Sequence, residues 1–306
     1  MKSGAQAEFT LAAVLRSGAW LSILFWGASF VATRGAIEAF HPYALVAARF
    51  GLGSALLYLL LFLRREPLLL ERADRPRGLL LGAILGLHIA VQAFALFHTS
   101  AVHSGWIVGS CPVVIALGAQ LFLGQRLGAL SWLGIAIAAG GVLLIALEHS
   151  SSLAHAGWGD LLVSGTTFSW AAYTLLSSAP VARSGALRTS AFAMGVASLC
   201  CALGALVEGR LFTGTPVLSN WLELCFLGVC CSGLAFWLWN RAIAQLGMAR
   251  LGGLLYFQPF VTALLALALG EAVPGWNTWI GGPLVVLGVW LLARGKARAP
   301  TAAAKA

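Results

Sequence analysis

The stretch SCPVVIAL at residues 110–117 recurs in modified form as FQPFVTAL at residues 257–264, which places Pro112 opposite Pro259. Near the start of each half, at an offset of 144 positions instead of 147, Trp26 corresponds to Trp170. Similarity at a nearly constant offset marks an internal repeat, so the second half of the chain is predicted to repeat the first. The offset of 147 also relates Trp132, Gly134, Gly141, Val142 and Leu144 to Trp279, Gly281, Gly288, Val289 and Leu291.

The composition of the chain indicates a lipid environment. Hydrophobic residues make up 60% of it and charged residues 9%, which would leave a soluble domain with a very large apolar surface in water. Apolar stretches of roughly 20 residues, the length of helix that the hydrocarbon core requires, recur from end to end. The chain is therefore predicted to be an all-α integral membrane protein. Its ten predicted transmembrane helices lie at residues 18–37, 43–63, 79–98, 101–123, 130–147, 158–177, 188–207, 220–240, 249–269 and 277–293.

The basic residues predict the orientation of these helices. With a cytoplasmic N-terminus, 16 of the 19 Lys and Arg residues fall in cytoplasmic segments, whereas the outer loops contain only Arg210. Both termini are therefore predicted to be cytoplasmic. Five spans, an odd number, separate equivalent helices, so the two halves must be inverted relative to each other. A substrate site is expected near the membrane midplane between such repeats.

The predicted domain organisation follows from these spans. The N-terminus lacks the short apolar core and cleavage site of a removable signal peptide, so the first span is expected to stay in the mature protein. Short connections leave no room for a second soluble domain. Residues 1–16 are predicted to form a cytoplasmic N-terminus, 17–148 the first five-helix repeat, 149–293 the second five-helix repeat, and 294–306 a disordered cytoplasmic tail.

Several other classes of protein do not fit the sequence. The net charge of +9 comes from small, dispersed basic clusters, so no nucleic-acid partner is expected. The six cysteines have no metal-ligand spacing, and no metal or cofactor is expected. The catalytic motifs of serine hydrolases, zinc proteases and P-loop proteins do not occur, so an enzyme is not expected. The expected partners are a small-molecule substrate and the lipid bilayer, with a monomer as the simplest assembly.

Four segments carry a resemblance to a known family: FWGASFVATRGAI from residue 25, HPYALVAARF from 41, FALFHTSAVHSGWIVGSCPVVIAL from 94 and FQPFVTALLALALGE from 257. In this order, together with the duplication, they resemble the EamA type of the drug/metabolite transporter superfamily over residues 17–293. Within that superfamily the chain is most similar to the bacterial aromatic amino-acid exporters. The resemblance implies a ten-helix bundle that exports small solutes through a central cavity.

Spans 1 and 6 carry matching polar and aromatic stripes at helical spacing. A hydroxyl group gains nothing by facing acyl chains, so each stripe faces either a neighbouring helix or a wet cavity. Because the two spans are repeat partners, a shared cavity is favoured. The stripes include Trp26, Ser29 and Thr33 in span 1, and Thr166, Trp170 and Tyr173 in span 6.

His88 and Gln92 lie four residues apart in span 3 and therefore share a helix face deep in the membrane. They either hold two helices together by a hydrogen bond or line the cavity. In the second case, His88 could bind a substrate carboxylate or titrate during transport. Arg49 in span 2 either has a structural role or contacts an anionic group of the substrate.

Pro112 and Pro259 occupy equivalent mid-membrane positions, where each removes a backbone hydrogen bond and is predicted to act as a hinge. Trp237 is expected either at the cavity or in an interfacial aromatic belt. Tyr256 and Gln258, close to Pro259, are expected to shape the cavity. The complete set of predicted substrate-binding residues is Trp26, Ser29, Thr33, His88, Gln92, Thr166, Trp170, Tyr173, Trp237, Tyr256, Gln258 and Arg49.

The charges within the predicted spans limit the substrate. No acidic residue lies near the middle of any span, whereas a cation in the membrane needs a counter-charge. Phosphate-bearing substrates would need several basic residues. A neutral or zwitterionic, partly apolar solute remains, and the resemblance points to aromatic or other apolar amino acids, exported across a bacterial inner membrane by alternating access. The alternatives are a channel-like facilitator, an exporter of other metabolites or drugs, and a membrane scaffold or sensor.

The predicted orientation can be tested with single cysteines introduced at Arg72 or Ser151 after the native cysteines have been removed. In intact cells, a membrane-impermeant thiol reagent should label the cysteine at position 151, because that loop is predicted to be external. The cysteine at position 72 should be shielded until the membrane is permeabilised. Labelling of position 72 from outside would overturn the orientation and the inverted repeat with it.

Overall fold

The computed structural model describes residues 17–123, 127–148, 157–246, 252–270 and 274–294. These ranges are helical almost throughout, and the β-structure within them is limited to one isolated bridge between Phe40 and Phe212. The predicted N-terminal segment at 1–16, the loop that contains Ser151, and the predicted tail at 294–306 apart from Arg294 lie outside the described residues. Arg294 is the last residue of a helix. Helical structure covers most of the described part of each predicted span.

The helices of the first half are α1 (Ala19–Ala36), α2 (Pro42–Leu63), α3 (Arg75–Ala95), α4 (Ala101–Val108), α5 (Cys111–Leu123) and α6 (Ala129–Ala146). A short 3-10 helix (Arg72–Asp74) precedes α3. The helices of the second half are α7 (Trp158–Ser184), α8 (Ala186–Glu208), α9 (Leu218–Phe226), α10 (Ala235–Leu246), α11 (Gln258–Ala268) and α12 (Trp276–Arg294). A π-helical segment (Leu227–Leu234) joins α9 to α10, and a 3-10 helix (Gly252–Phe257) precedes α11.

In the described part of the chain, five helical stretches are long and apolar enough to cross a membrane. They are Pro42–Leu63, Arg72–Ala95, Ala101–Gly118, Ala186–Glu208 and Leu218–Gln245, and shorter apolar helices cover Ala129–Ile145, Gln258–Ala268 and Trp276–Leu292. Neither α1 nor α7 belongs to these sets. Both carry the hydroxyl and tryptophan stripes, which lower the hydropathy of a helix that faces other protein groups.

Several predicted spans differ from the observed helices, and the span at 220–240 is divided by the π-helical segment. The span at 158–177 ends too early, because α7 continues through Pro180 to Ser184, and Gly185 with a φ of +86° makes the turn into α8. The span at 101–123 is interrupted between α4 and α5. The segment before α11 is a 3-10 helix, so the span at 249–269 is not one continuous α-helix.

Close glycine contacts hold α6 against α12. A Cβ atom on Gly134 would lie 2.4 Å from the carbonyl oxygen of Gly288, and one on Gly141 would lie 2.5 Å from that of Gly281. Any side chain at these positions would force the backbones apart. Small residues at a helix interface let membrane helices gain packing contacts that larger residues prevent.

A cluster of polar side chains joins several helices at the end of the bundle where α3 finishes. His103 at the start of α4 contacts Asp160 of α7 through Nδ1 (3.3 Å) and Glu148, just after α6, through Nε2 (3.2 Å). Glu148 also accepts hydrogen bonds from the backbone amides of Gly275 (2.8 Å) and Thr278 (2.7 Å) at the start of α12. This set of residues, which we call the His103 cluster, therefore ties α4, α6, α7 and α12 together.

Electrostatics in this cluster favour an ionised Glu148. Burial alone would raise the pKa of the Glu148 carboxyl group, but hydrogen bonds from Thr278, Gly275 and His103 outweigh it and lower the pKa to about 2. The carboxylate also lies at the N-terminus of α12, where the helix dipole favours a negative charge. Glu148 is therefore charged at neutral pH and acts as an N-terminal cap of α12.

A second ion pair lies at the opposite end of α3. Asp74 accepts hydrogen bonds from Arg183 Nε (2.9 Å) and Nη2, and from the Ser184 hydroxyl group (2.8 Å). The hydrogen bond from Arg183 is the main reason that the pKa of the fully buried Asp74 carboxyl group is lowered. This contact fixes the connection between α2 and α3 to the C-terminal end of α7.

Glu148→Gln should lower the thermal stability of the purified protein in detergent at neutral pH. Hydrogen bonds to a charged group contribute about 1.5–3 kcal/mol, and the amide of Gln would face backbone N–H groups. Because the native carboxyl group has a lowered pKa, its contribution is present above pH 4–5 and is lost as pH falls towards about 2. Glu66→Gln, at an exposed position, is the matched control. An equal melting temperature for both variants would contradict the capping role.

Candidate functional site

A central cavity lies between helices of both halves. It has about 480 Å³ of empty space, including its opening to solvent. The first half contributes side chains from α1 to α5, and the second half contributes them from α7, α10, α11 and the 3-10 helix before α11. The lining residues are Trp26, Ser29, Phe30, Arg49, His88, Ile89, Gln92, Val108, Cys111, Trp170, Phe236, Leu255 and Gln258.

Aromatic side chains form one wall of the cavity. Trp26 makes edge-to-face contacts with Trp170 (5.2 Å between ring centroids), Phe236 (5.2 Å) and Trp239 (5.3 Å). Its indole N–H donates a hydrogen bond to the carbonyl oxygen of Cys231 (3.0 Å), in the π-helical segment. Trp26 and Trp170 therefore have two roles, since they pack the two halves together and also face the cavity. From the sequence alone, these two roles were alternatives.

Polar side chains of α3 lie beside this wall. His88 Nδ1 is 3.1 Å from the carbonyl oxygen of Thr166 and 2.8 Å from the Ser169 hydroxyl oxygen. Gln92 Nε2 donates to the Thr166 hydroxyl oxygen (3.1 Å). Both residues line the cavity as well, so here too the hydrogen bond between helices and the cavity position occur together.

Arg49 is a nearly fully buried cation, with a side chain only 3% exposed. Its Nε donates to the Ser232 hydroxyl oxygen (3.1 Å) in the π-helical segment, which passes very close to α2. A Cβ atom on Gly53 would lie 2.9 Å from the amide nitrogen of Gly233, so only glycine permits this approach. Among the described residues, no Asp or Glu forms an ion pair with Arg49.

The two predicted hinges, Pro112 and Pro259, each lie next to a residue that lines the cavity, Cys111 and Gln258. Pro112 and Pro259 each lie in the first turn of a helix, α5 and α11, where the missing N–H group is tolerated. A Cβ atom on Gly109 would lie 2.9 Å from Cγ of Pro259, so the interruption before α5 packs directly against the start of α11. The Thr262 hydroxyl group donates to the carbonyl oxygen of Gly27 (2.9 Å) and so joins α11 to α1.

Seven of the predicted residues line the cavity, and four others have different environments. Thr33, Thr166 and Tyr173 are buried but do not line the cavity. The Thr166 hydroxyl oxygen accepts a hydrogen bond from Gln92, and the Tyr173 hydroxyl oxygen accepts one from Asn240 Nδ2 (3.3 Å). Trp237 is partly buried beneath Arg64, whose Cζ lies 5.3 Å from the ring centroid. The side chain of Tyr256 lies outside the described residues.

Sequence reasoning did not identify the apolar part of the lining. These residues are Phe30, Ile89, Val108, Cys111, Phe236 and Leu255. Phe30 and Ile89 directly follow Ser29 and His88, and widening each polar stripe by one position would have included them. On α10, Trp237 was predicted to line the cavity, but the residue that does so is its neighbour Phe236.

Comparison with known proteins gives consistent results. A solved crystal structure superposes with a TM-score of 0.68 at 25% identity, covering 92% of this chain and 99% of the other. An uncharacterized transporter of Bacillus subtilis, YyaM, is 29% identical over 90% of this chain and 92% of its own. An uncharacterized inner membrane transporter of Escherichia coli K12, YedA, is 26% identical over 89% of this chain and 88% of its own. A probable terminal-alkyne amino-acid exporter of Streptantibioticus cattleyicolor is 27% identical over 90% and 91%.

The model of the EamA-like transporter family matches residues 17–147 and again residues 157–294. These two ranges contain the helices of the first half and those of the second, and together they include every residue that lines the cavity. The relatives above are transporters by name, which points away from an enzyme. The chain belongs to the EamA-like transporter family.

Proposed function

We propose that this protein exports small neutral or zwitterionic organic solutes, namely amino acids with aromatic or other apolar side chains, across a bacterial inner membrane by alternating access. The observation that carries this proposal is the cavity, which combines an aromatic wall, the polar ends of His88 and Gln92, and the buried cation Arg49. Its described lining contains no acidic residue, an arrangement that suits neither a cation nor a multiply charged phosphate. Aromatic side chains provide contact area to an apolar solute.

The packing of α6 and α12 supports an inverted repeat of five plus five transmembrane helices. The sequence repeat makes Gly134 equivalent to Gly281 and Gly141 equivalent to Gly288. Gly134 contacts Gly288, and Gly141 contacts Gly281. Each of these contacts becomes the other when both residues are replaced by their equivalents in the other half. A pair of antiparallel helices on a pseudo-twofold axis has this property. The double match of the family model is consistent with it.

The helix interruptions supply a route for alternating access. Because α5 and α11 each begin just before a proline, and Gly109 in the interruption before α5 packs against Pro259 at the start of α11, a change at one interruption can be transmitted to the other. In this proposal Pro112 and Pro259 are the hinges, and both termini are cytoplasmic. The protein acts as a monomer in the bilayer, with no nucleic-acid partner. The Escherichia coli relative, named as an inner membrane transporter, supports the location, and the Streptantibioticus relative, named as an amino-acid exporter, supports the substrate class.

The test is uptake of radiolabelled L-tryptophan, L-phenylalanine and L-leucine by proteoliposomes loaded with the same unlabelled amino acid. The wild-type protein should show saturable exchange. Trp170→Ala should reduce the exchange rate at least tenfold, because the side chain is 6% exposed and forms the aromatic wall. Trp158→Ala is the control on the same helix, since Trp158 is 68% exposed and does not line the cavity.

Three outcomes would contradict the proposal. Flux that rises linearly without saturation or exchange would indicate a channel-like facilitator. No flux of any of the three amino acids through folded wild-type protein would remove the proposed substrate class, and a scaffold or sensor would become the better interpretation. Equal exchange by the Trp170→Ala and Trp158→Ala variants would remove the cavity from the transport route.

A further inference from the structure

The hydroxyl groups of α7 determine how the polar side chains of α3 are oriented. The Thr166 hydroxyl group donates to the carbonyl oxygen of Val163 (2.6 Å), and the Ser169 hydroxyl group donates to the carbonyl oxygen of Thr166 (2.8 Å). A hydroxyl group has one hydrogen to donate. Towards α3, therefore, both hydroxyl groups can only accept hydrogen bonds.

This restriction assigns the tautomer of His88. Its Nδ1 atom contacts the Thr166 carbonyl oxygen and the Ser169 hydroxyl oxygen, and a carbonyl oxygen is an acceptor in any arrangement. Nδ1 must therefore carry the hydrogen. In the neutral imidazole ring the other nitrogen, Nε2, then has a lone pair and is a hydrogen-bond acceptor.

The side-chain amide of Gln92 is oriented in the same way. Its amide must offer an N–H group to the Thr166 hydroxyl oxygen, so the carbonyl oxygen Oε1 is left at the other side of the amide. Ser29 resembles these residues, because its hydroxyl hydrogen is donated to the carbonyl oxygen of Trp26 (2.7 Å). Among the described residues, His88 Nε2 and Gln92 Oε1 have no protein partner, and all three side chains line the cavity. This wall of the cavity therefore presents three acceptor atoms, beside the second N–H group of the Gln92 amide.

Arg49 presents the opposite chemistry. A guanidinium group has five N–H donors, and the described residues account for one of them, at Ser232. A buried cation without a carboxylate partner is unfavourable, and a carboxylate is the group that a guanidinium fork binds with two parallel hydrogen bonds. A bound anionic group would therefore give the buried Arg49 guanidinium group the charge partner that it lacks among the described residues.

We propose that the cavity binds the two charged groups of an α-amino acid at separate points, with the carboxylate on Arg49 and the ammonium group on the acceptors His88 Nε2 and Gln92 Oε1. This inference rests on the proposed function and specifies how the same cavity recognises its substrate. It explains how a zwitterion is bound by a cavity whose described lining has no acidic residue. It also reassigns His88, since a lone pair on Nε2 repels a carboxylate and attracts an N–H group.

Three ligands that share an indole ring separate the two points: L-tryptophan, indole-3-propionate, which lacks the ammonium group, and tryptamine, which lacks the carboxylate. Their affinities for the purified protein are measured by displacement of radiolabelled L-tryptophan, and for each variant also by direct titration calorimetry. The wild-type protein should bind L-tryptophan at least tenfold more tightly than either analogue. Tryptamine or indole-3-propionate binding as tightly as L-tryptophan would overturn the two-point assignment without any variant.

The variants identify which residue holds which group. Arg49→Gln should weaken the binding of L-tryptophan and indole-3-propionate at least tenfold and leave tryptamine within about threefold. His88→Leu should weaken L-tryptophan and tryptamine and leave indole-3-propionate within about threefold. Arg210→Gln and His98→Leu, at exposed positions outside the cavity, are the matched controls and should bind all three ligands as the wild type does.

The results distinguish the failure of this inference from that of the proposed function. If Arg49→Gln weakens all three ligands equally, or His88→Leu weakens indole-3-propionate as much as tryptamine, the assignment of the two groups is wrong while the cavity remains the binding site. If folded wild-type protein binds none of the three ligands, the proposed substrate class is wrong and this inference fails with it. If a variant does not fold, the ligand series on the wild-type protein still tests whether both charged groups of the amino acid are recognised, and Arg49→Lys and His88→Gln replace the failed variant.

Discussion

Polar groups placed among apolar helices need partners inside the protein, because lipid offers them none. This requirement explains most of the polar contacts in the structure. The hydroxyl groups of α7 return their hydrogens to backbone carbonyl groups of their own helix, and His88 and Gln92 complete the set from α3. His88 Nε2 and Gln92 Oε1, which have no protein partner among the described residues, belong to side chains that line the cavity, where a solute can supply one.

The same requirement explains the two ends of the bundle. The His103 cluster and the pair of Asp74 with Arg183 are placed where helices end, so that charged groups meet each other and unpaired backbone amides. They lie at opposite ends of α3, and each joins segments that are distant in sequence. Between these ends, His88 and Gln92 of α3 line the cavity. Arg49, the one charged residue among the described lining residues, has no acidic partner in the described part of the chain. The charged groups of these two clusters therefore have protein partners, whereas the Arg49 guanidinium group in the cavity can pair with a solute.

The helices could be predicted from the sequence because their apolar stretches are long and their connections are short. The meeting of Trp26, Trp170, His88 and Gln92 could be predicted too, since helical spacing shows which residues share a face. Spacing does not show which neighbour covers that face, and for this reason Tyr173 was expected in the cavity but is covered by Asn240. The π-helical segment was not predicted, because it depends on the close approach of Gly53 to Gly233, a tertiary contact without a local signal.

An experimental structure of the protein with L-tryptophan bound tests the central claim most directly, since the claim concerns the position and orientation of a solute between the two halves. The predicted result is density for the indole ring against Trp26 and Trp170, with the carboxylate within hydrogen-bonding distance of Arg49 and the amino nitrogen within hydrogen-bonding distance of His88 Nε2. Density outside this cavity, or an amino acid bound with its carboxylate on His88 and its amino group near Arg49, would contradict the account.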